Sequence, residues 1–167
     1  MNIKSQLQKI DISKMKLANG KTLFKTLYDE AQRLRDCIQK RIEEYRDEYN
    51  PVLYRRTDRF LDALQVEDIA NIYVKGNSIC IDLFFDNDKV MRKSGFGVWD
   101  SDSTDEVNIA YLLNYGYEVK KDVWFKELHD FGYREGYHFV EDGISDFLQT
   151  TDLPIKITMK YPDGYKR

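Results

Sequence analysis

Residues that carry chemistry are scarce in this chain of 167 residues, which has only two cysteines and two histidines. Cys37 and Cys80 stand far apart in different elements with no CxxC spacing. That argues against a zinc site or a thioredoxin-type pair and predicts free, buried thiols of a cytosolic protein. His129 and His138 lie nine residues apart, outside any HxxxH spacing and away from both cysteines, so they do not form a metal-ligand cluster. His129 precedes Asp130, which could orient an imidazole, but no serine or cysteine sits in a GxSxG-like nucleophile context. Basic excess is missing too: 26 basic residues against 29 acidic ones give a net charge of −3. The phosphate-neutralising footprint of a nucleic-acid binder is therefore absent. No run reaches the ~20 apolar residues of a membrane span. The opening MNIKSQLQKIDISKMKLANGK lacks the apolar core of a signal peptide. A cytoplasmic origin and a soluble chain without membrane contact are the expectation. Three prolines and nine glycines are few, which suits a rigid fold.

What the chain has instead is aromatic and charged residues. Twelve tyrosines and nine phenylalanines, with 42% hydrophobic and 33% charged residues, describe a globular chain with large aromatic surfaces suited to packing and to interfaces. Residues 1–20 read as a lysine-rich N-terminal arm ending in the turn signal Asn19-Gly20, and 21–167 as a single α+β domain. From Thr22 to Glu48, Leu23, Leu27, Ala31, Leu34, Ile38, Ile42 and Tyr45 recur at spacings of three and four, which predicts one long amphipathic helix. Asn50-Pro51 ends it. Thr57 is a plausible cap for a short helix holding Phe60, Leu61 and Leu64. Two strands follow, over 69–74 and 77–86, joined at Lys75-Gly76-Asn77-Ser78 as a hairpin. In the second, Ile79, Ile81, Leu83 and Phe85 share one face, while Cys80, Asp82, Phe84 and Asp86 share the other. The first face reads as core, the second as solvent or partner. Residues 87–106 read as a long polar loop carrying Met91, Phe96 and Trp99. Ser103 and Glu106 predict a capping box for a helix over 104–115, with Gly116 as its left-handed stop. A last helix near 137–149 and a strand over 155–161, with Ile155, Ile157, Met159 and Tyr161 alternating, complete the chain. The predicted class is α+β: a small, mainly antiparallel sheet packed by a long N-terminal helix and two shorter C-terminal helices.

Several local patterns resemble known chemistry and stop short of it. Gly95-Phe96-Gly97-Val98-Trp99 after Arg92-Lys93 lacks the third glycine of a dinucleotide loop, since Asp100 stands there. It also lacks the βαββαβ order of an RNA-recognition domain. Asp100, Asp102 and Asp105 suggest a calcium loop, but its sixth position is Asp105 rather than glycine and its twelfth is Tyr111 rather than glutamate. Asp142 and Asp146 share a helix face, where two like charges read as a solvated surface before an acid–base pair. Arg55, Arg56 and Arg59 beside Tyr54 form a basic cluster suited to intramolecular pairing or to a subunit contact. No catalytic residue, metal site or cofactor is predicted. The candidate subunit-contact residues are Met91, Phe96, Trp99, Arg55, Arg56 and Arg59.

With these elements in order, Pro51 with Thr57, the helix end Ala110-Tyr111-Leu112-Leu113-Asn114-Tyr115-Gly116 and the helix start His138-Phe139-Val140-Glu141-Asp142-Gly143 form a recognisable series. Over about residues 24–149 the chain resembles the minor tail, tail-completion or head–tail joining (neck) proteins of long-tailed bacteriophages and prophages. These motifs are structural, so no catalytic role carries over. The resemblance implies a virion protein assembled in a bacterial host cytoplasm, a homo-oligomeric ring, commonly a hexamer, at the tail end or neck. Its implied partners are copies of itself and the tail-tube and neck or connector proteins, with DNA only passing through. A loop at 87–106 that orders on assembly would fit such a subunit. The alternative from another class is a small phage or mobile-element protein that binds and inhibits a host defence protein. An enzyme using Asp142, Asp146 or His129 is a third.

Overall fold

The computed structural model of the protein describes residues 14–48, 60–93, 106–119 and 132–162. Its longest element is α1, Leu23–Glu48. The apolar stripe read from the sequence is the buried face: Ala31, Ile38, Ile42 and Tyr45 are all buried, Ile42 completely. Thr22 starts the helix, its hydroxyl accepting from the Lys25 N–H at 3.2 Å. The described end of the expected N-terminal arm is tied to this start. Gly20 adopts φ 79°, Leu17 accepts from the Gly20 N–H at 2.9 Å, and the Leu23 N–H donates to Met15 at 2.9 Å. A positive φ there is what glycine supplies without steric cost.

After the gap, β1 (Leu64–Val66) pairs antiparallel with β4 (Leu83–Phe85), Gln65 opposite Phe84. β2 (Tyr73–Lys75) and β3 (Ser78–Cys80) form a hairpin with Lys75 opposite Ser78, and Gly76 takes φ 63° at the turn expected there. A short helix α2 (Asn87–Val90) leads into β5 (Met91–Lys93), which pairs with β6 (Glu106–Asn108). Helix α3 (Ile109–Tyr115) runs into β7 (Gly116–Val119), paired with β8 (Gly132–Glu135). Helix α4 (Phe139–Thr150) closes the fold against α1. The class is α+β, as the sequence predicts, but among the described residues the antiparallel pairing is divided into four two-stranded ladders.

The core is built where α1, α4 and the β1–β4 ladder meet. Ile38, Ile42, Leu64 and Phe139 form its buried centre, flanked by Phe60, Leu83, Phe85 and Leu113. The rings of Phe60, Phe85 and Phe139 pack around one another with centroids 5.8 to 6.5 Å apart, within the range of favourable aromatic contacts. Ala63, Val90 and Ala110 extend the core beneath α2 and α3. The seam between the two long helices also carries polar fastenings. Arg41 grips Asp146 through Nε at 2.8 Å and through its Nη2 at 3.0 Å. The Thr151 hydroxyl donates to Glu30 at 2.9 Å, and Arg33 donates to the Thr150 carbonyl at 3.1 Å.

Several expectations need correction, some overridden by pairing at long range and others by local caps. Leu64 belongs to β1 and not to a helix; Phe60 is 3-10 helical and Leu61 lies in the turn after it, with the Ala63 N–H on the Phe60 carbonyl at 3.1 Å, while the expected cap Thr57 lies outside the described residues. Residues 69–71 are a 3-10 turn capped by Asp68, so the first hairpin strand starts at Tyr73. The expected continuous strand 77–86 is split after Cys80, because its second half finds β1 as partner: the Glu67 N–H donates to the Asp82 carbonyl at 2.9 Å and the Asp86 N–H to the Ala63 carbonyl at 2.8 Å. The loop expected from residue 87 begins as helix and strand, with Asp86 capping α2. Residues 106–108 are strand, so the cap of α3 is Asn108, whose side chain accepts from the Tyr111 N–H at 2.9 Å, and not a Ser103–Glu106 box. Gly116 has the expected positive φ of 88°, but ψ 168° makes it the start of β7 instead of a left-handed cap. Residues 155–161 form no helix or strand and have no ladder partner among the described residues.

Gly143 marks the closest approach of the helix seam. A Cβ built there would lie 2.6 Å from the Cα of Ile38, and a helix backbone cannot give way as a side chain end can. Gly143→Ala is expected to push α4 off α1 and lower stability by about 1–3 kcal/mol, despite the better helix propensity of alanine. Urea unfolding monitored by circular dichroism measures this, and an unchanged or raised midpoint would contradict the close packing.

Candidate functional site

The described residues hold one polar cluster that the fold builds with care, at the junction where α3 ends and α4 begins. α4 starts from His138, which lies in the left-handed region at φ 51° and offers no side-chain cap. The missing cap comes from the preceding helix. Asn114, 1% exposed, accepts from the Val140 N–H at 2.9 Å and donates to Glu141 Oε2 at 2.7 Å. The favour is returned: the N–H groups of Tyr137 and His138 satisfy the last carbonyls of α3, at Leu113 and Asn114, each at 3.0 Å. Each helix end thus fills the orphan backbone groups of the other.

Aromatic rings close this junction. Tyr115 packs on Tyr111 at 4.7 Å, on Tyr161 at 5.6 Å and on His138 at 6.4 Å between centroids. Burial alone would push the Glu141 carboxyl up, but the hydrogen bonds from Asn114 and Tyr115 outweigh it and hold it below the usual glutamate range. The Tyr115 phenol moves the other way, pushed far up by burial and by its position next to Glu141 and Tyr161. A phenol locked in its protonated form is a hydrogen-bond donor, not a base or nucleophile. The cluster is built to hold two helices and a tail together, and it has no reacting group.

The cleft between α1 and α4 offers no better chemistry. It encloses about 150 Å³ and is lined by Arg41, Glu44, Tyr45, Tyr137, Phe139 and Asp142, below the ~300 Å³ of ordinary ligand pockets. Its one cation is committed. Arg41 gives Nε and Nη2 to Asp146 and Nη1 to Glu44 at 2.9 Å. The i, i+4 acids are therefore not a pair: Asp146 is held low by Arg41, while Asp142 is exposed. No group of three or more metal-ligating side chains occurs among the described residues. Both cysteines are unbridged, and each is half-buried rather than buried. Among the described residues no helix is long and apolar enough to cross a membrane.

What remains is surface. Val74 (50% exposed), Tyr73 and Ile69 put apolar area on the β2–β3 hairpin and its approach, and Phe84 does so on β4. The acids around Phe84 keep it as the sequence reading anticipated, with Asp82 exposed. β4 also has an open edge. The bonds at Asp82 and Asp86 face β1, so by the alternation of an antiparallel ladder Leu83 and Phe85 aim their backbone groups the other way, where no partner lies among the described residues. Of the six expected contact residues, Met91 is half-buried in β5 opposite Asn108. Phe96, Trp99, Arg55, Arg56 and Arg59 lie outside the described residues. Asn114 and Glu141 are the residues sequence reading missed. Their only signal was an amide set inside an apolar helix end, four residues after Ala110.

Asn114→Ala removes a cap and strips a buried carboxylate of its donor, with an expected cost of about 2–4 kcal/mol in urea unfolding. The acid limb tests Glu141 itself. Its folded value lies below the unfolded 4.5, so its contribution is fully present above that value and drains away as pH falls through the folded one. Glu141→Gln should flatten the loss of stability between about pH 5 and pH 3; an unchanged acid limb would show that the carboxylate charge does not matter. Comparison with known proteins leaves the assignment to the molecule itself: no family model, no curated protein and no solved structure matches this chain.

Proposed function

We propose that this protein is a structural subunit that assembles into a ring, at the tail end or neck of a long-tailed phage or prophage, where it joins tail to head. The observation that carries this reading is the pairing of open strand edges with exposed apolar side chains. Among the described residues, four ladders of two strands each have more edge than interior, and Tyr73 and Val74 stand exposed on one of them and Phe84 on another. Two-stranded ladders are marginal alone and gain from a third strand. A ring subunit needs two unlike surfaces, one for each neighbour, and closure of the rotation fixes the number of copies. Support also comes from what the polar clusters do: Asn114, Glu141 and Tyr115 hold helices together, and Arg41 is saturated by acids. The net charge of −3 suits a lumen through which DNA passes without sticking.

Assembly is directly measurable. Purified protein, alone and with tail-tube protein of the same phage, should form closed rings by negative-stain microscopy and mass photometry. Val74→Asp should weaken that assembly by tenfold or more in apparent dissociation constant, roughly the effect of losing one buried interface anchor. The melting temperature of the monomer should hardly change, because Val74 is half-exposed in the isolated chain. A strict monomer under all of these conditions would overturn the ring reading.

A further inference from the structure

We infer that the C-terminal segment, residues 155–161, is a strand donated to the open edge of β4 in a neighbouring copy of this chain. This deepens the ring proposal and rests on it. The segment reads Ile155-Lys156-Ile157-Thr158-Met159-Lys160-Tyr161, with the alternation and β-branched content of a strand. Yet it belongs to no ladder, and apart from the Ile155 N–H on the Leu153 carbonyl at 2.8 Å its backbone makes no hydrogen bond among the described residues. It is held to its own chain at one end, by Tyr161 packed edge-on against Tyr111 and Tyr115. Lys156 and Lys160 are exposed and make no ion pair in the monomer.

The acceptor is identified by charge and spacing. On β4 and its flanks, Asp82, Phe84 and Asp86 lie on the face away from the core, two acids four residues apart with Phe84 between them. On the donor, Lys156, Thr158 and Lys160 share one face, two cations four residues apart. Run antiparallel, Lys156 meets Asp86, Thr158 meets Phe84 and Lys160 meets Asp82. Ile157 and Met159 then fall opposite Phe85 and Leu83, the two residues whose backbone groups point out from β4. That register makes the lysine–aspartate pairs non-hydrogen-bonded ones, in which side chains approach most closely. The same charges forbid the competing pairings. Two donor segments aligned antiparallel put Lys156 against Lys160, and two β4 edges put Asp82 against Asp86; like charges directly opposite are destabilising. The contact is head-to-tail by construction, as a ring requires.

Two measurements test this on the full chain with Cys37 and Cys80 replaced by alanine. First, a chain carrying Thr158→Cys is mixed with one carrying Phe84→Cys under mild oxidation. A disulfide-linked heterodimer in excess of either homodimer is expected. Second, Lys156→Asp with Lys160→Asp should raise the apparent dissociation constant of the assembly by roughly tenfold or more without changing the monomer's melting curve, since both lysines are exposed and unpaired. Adding Asp82→Lys to that chain should recover part of the assembly, with Asp86 left in place because its side chain caps α2. If rings form but the heterodimer is absent and the lysine substitutions leave assembly intact, the donated strand is wrong while the ring stands. If the parent chain forms no assembly at any concentration, the ring proposal fails and the donated strand falls with it.

Discussion

Everything C-terminal to α3 depends on one side chain. Asn114 is almost fully buried, and a buried amide is costly unless its donors and acceptor are used. Here the acceptor caps α4 at Val140 and a donor bonds Oε2 of Glu141. Because His138 sits in the left-handed region and cannot cap its own helix, the start of α4 is fixed by α3 and not by local sequence. The start of α4 in turn sets the phase of Phe139, Gly143 and Phe147, all buried. Shift that phase by one residue and Gly143 no longer meets Ile38, so the seam with α1 cannot close.

The same junction sets where the tail goes. Tyr115 is drawn into the Glu141 site as a protonated donor, and its ring, with that of Tyr111, forms the shelf on which Tyr161 rests. A carboxylate kept ionised chiefly by the Asn114 and Tyr115 donors, with His138 adding a weaker pull, is a strong reason for those donors to stay in place. The polar core is therefore what gives the C-terminal segment a fixed point of departure while leaving its backbone unpaired.

How much of this was legible in the sequence follows from the range of the interactions involved. α1 was legible because its stripe from Leu23 to Tyr45 repeats over about six turns of local spacing, and the hairpin turn at Gly76 because its cause is a single backbone angle. The split after Cys80 was not. Ile79, Ile81, Leu83 and Phe85 alternate without interruption, and only the presence of β1, some twenty residues earlier in sequence, decides that the ladder changes partner there. Asn114 was hidden for the same reason: its partners Val140 and Glu141 lie 26 and 27 residues away. At residues 155–161 local pattern and structure disagree, because strand-forming alternation describes what a segment can pair with and not whether its partner lies in the same chain.

That disagreement bears on how a chain with so many free edges avoids indiscriminate sticking. An unpaired edge is a template for any strand, including a copy of itself. Apolar contact with Phe84 or Val74 would favour assembly but could not choose among partners, since burial is non-directional. Choice comes from charge placed at a fixed interval. Acids flanking β4 and lysines within the C-terminal segment make each of them repel its own kind and accept the other, so attraction and exclusion come from the same four side chains. Such a rule permits only contacts between unlike surfaces. Two copies joined this way still expose one free donor and one free acceptor, so growth continues until rotation brings the last donor to the first acceptor. The angle that decides when this happens is set by how the donor is held to its own chain, where it follows α4 and where Tyr161 rests on Tyr111 and Tyr115, and hence by the buried amide of Asn114 that fixes α3 against α4.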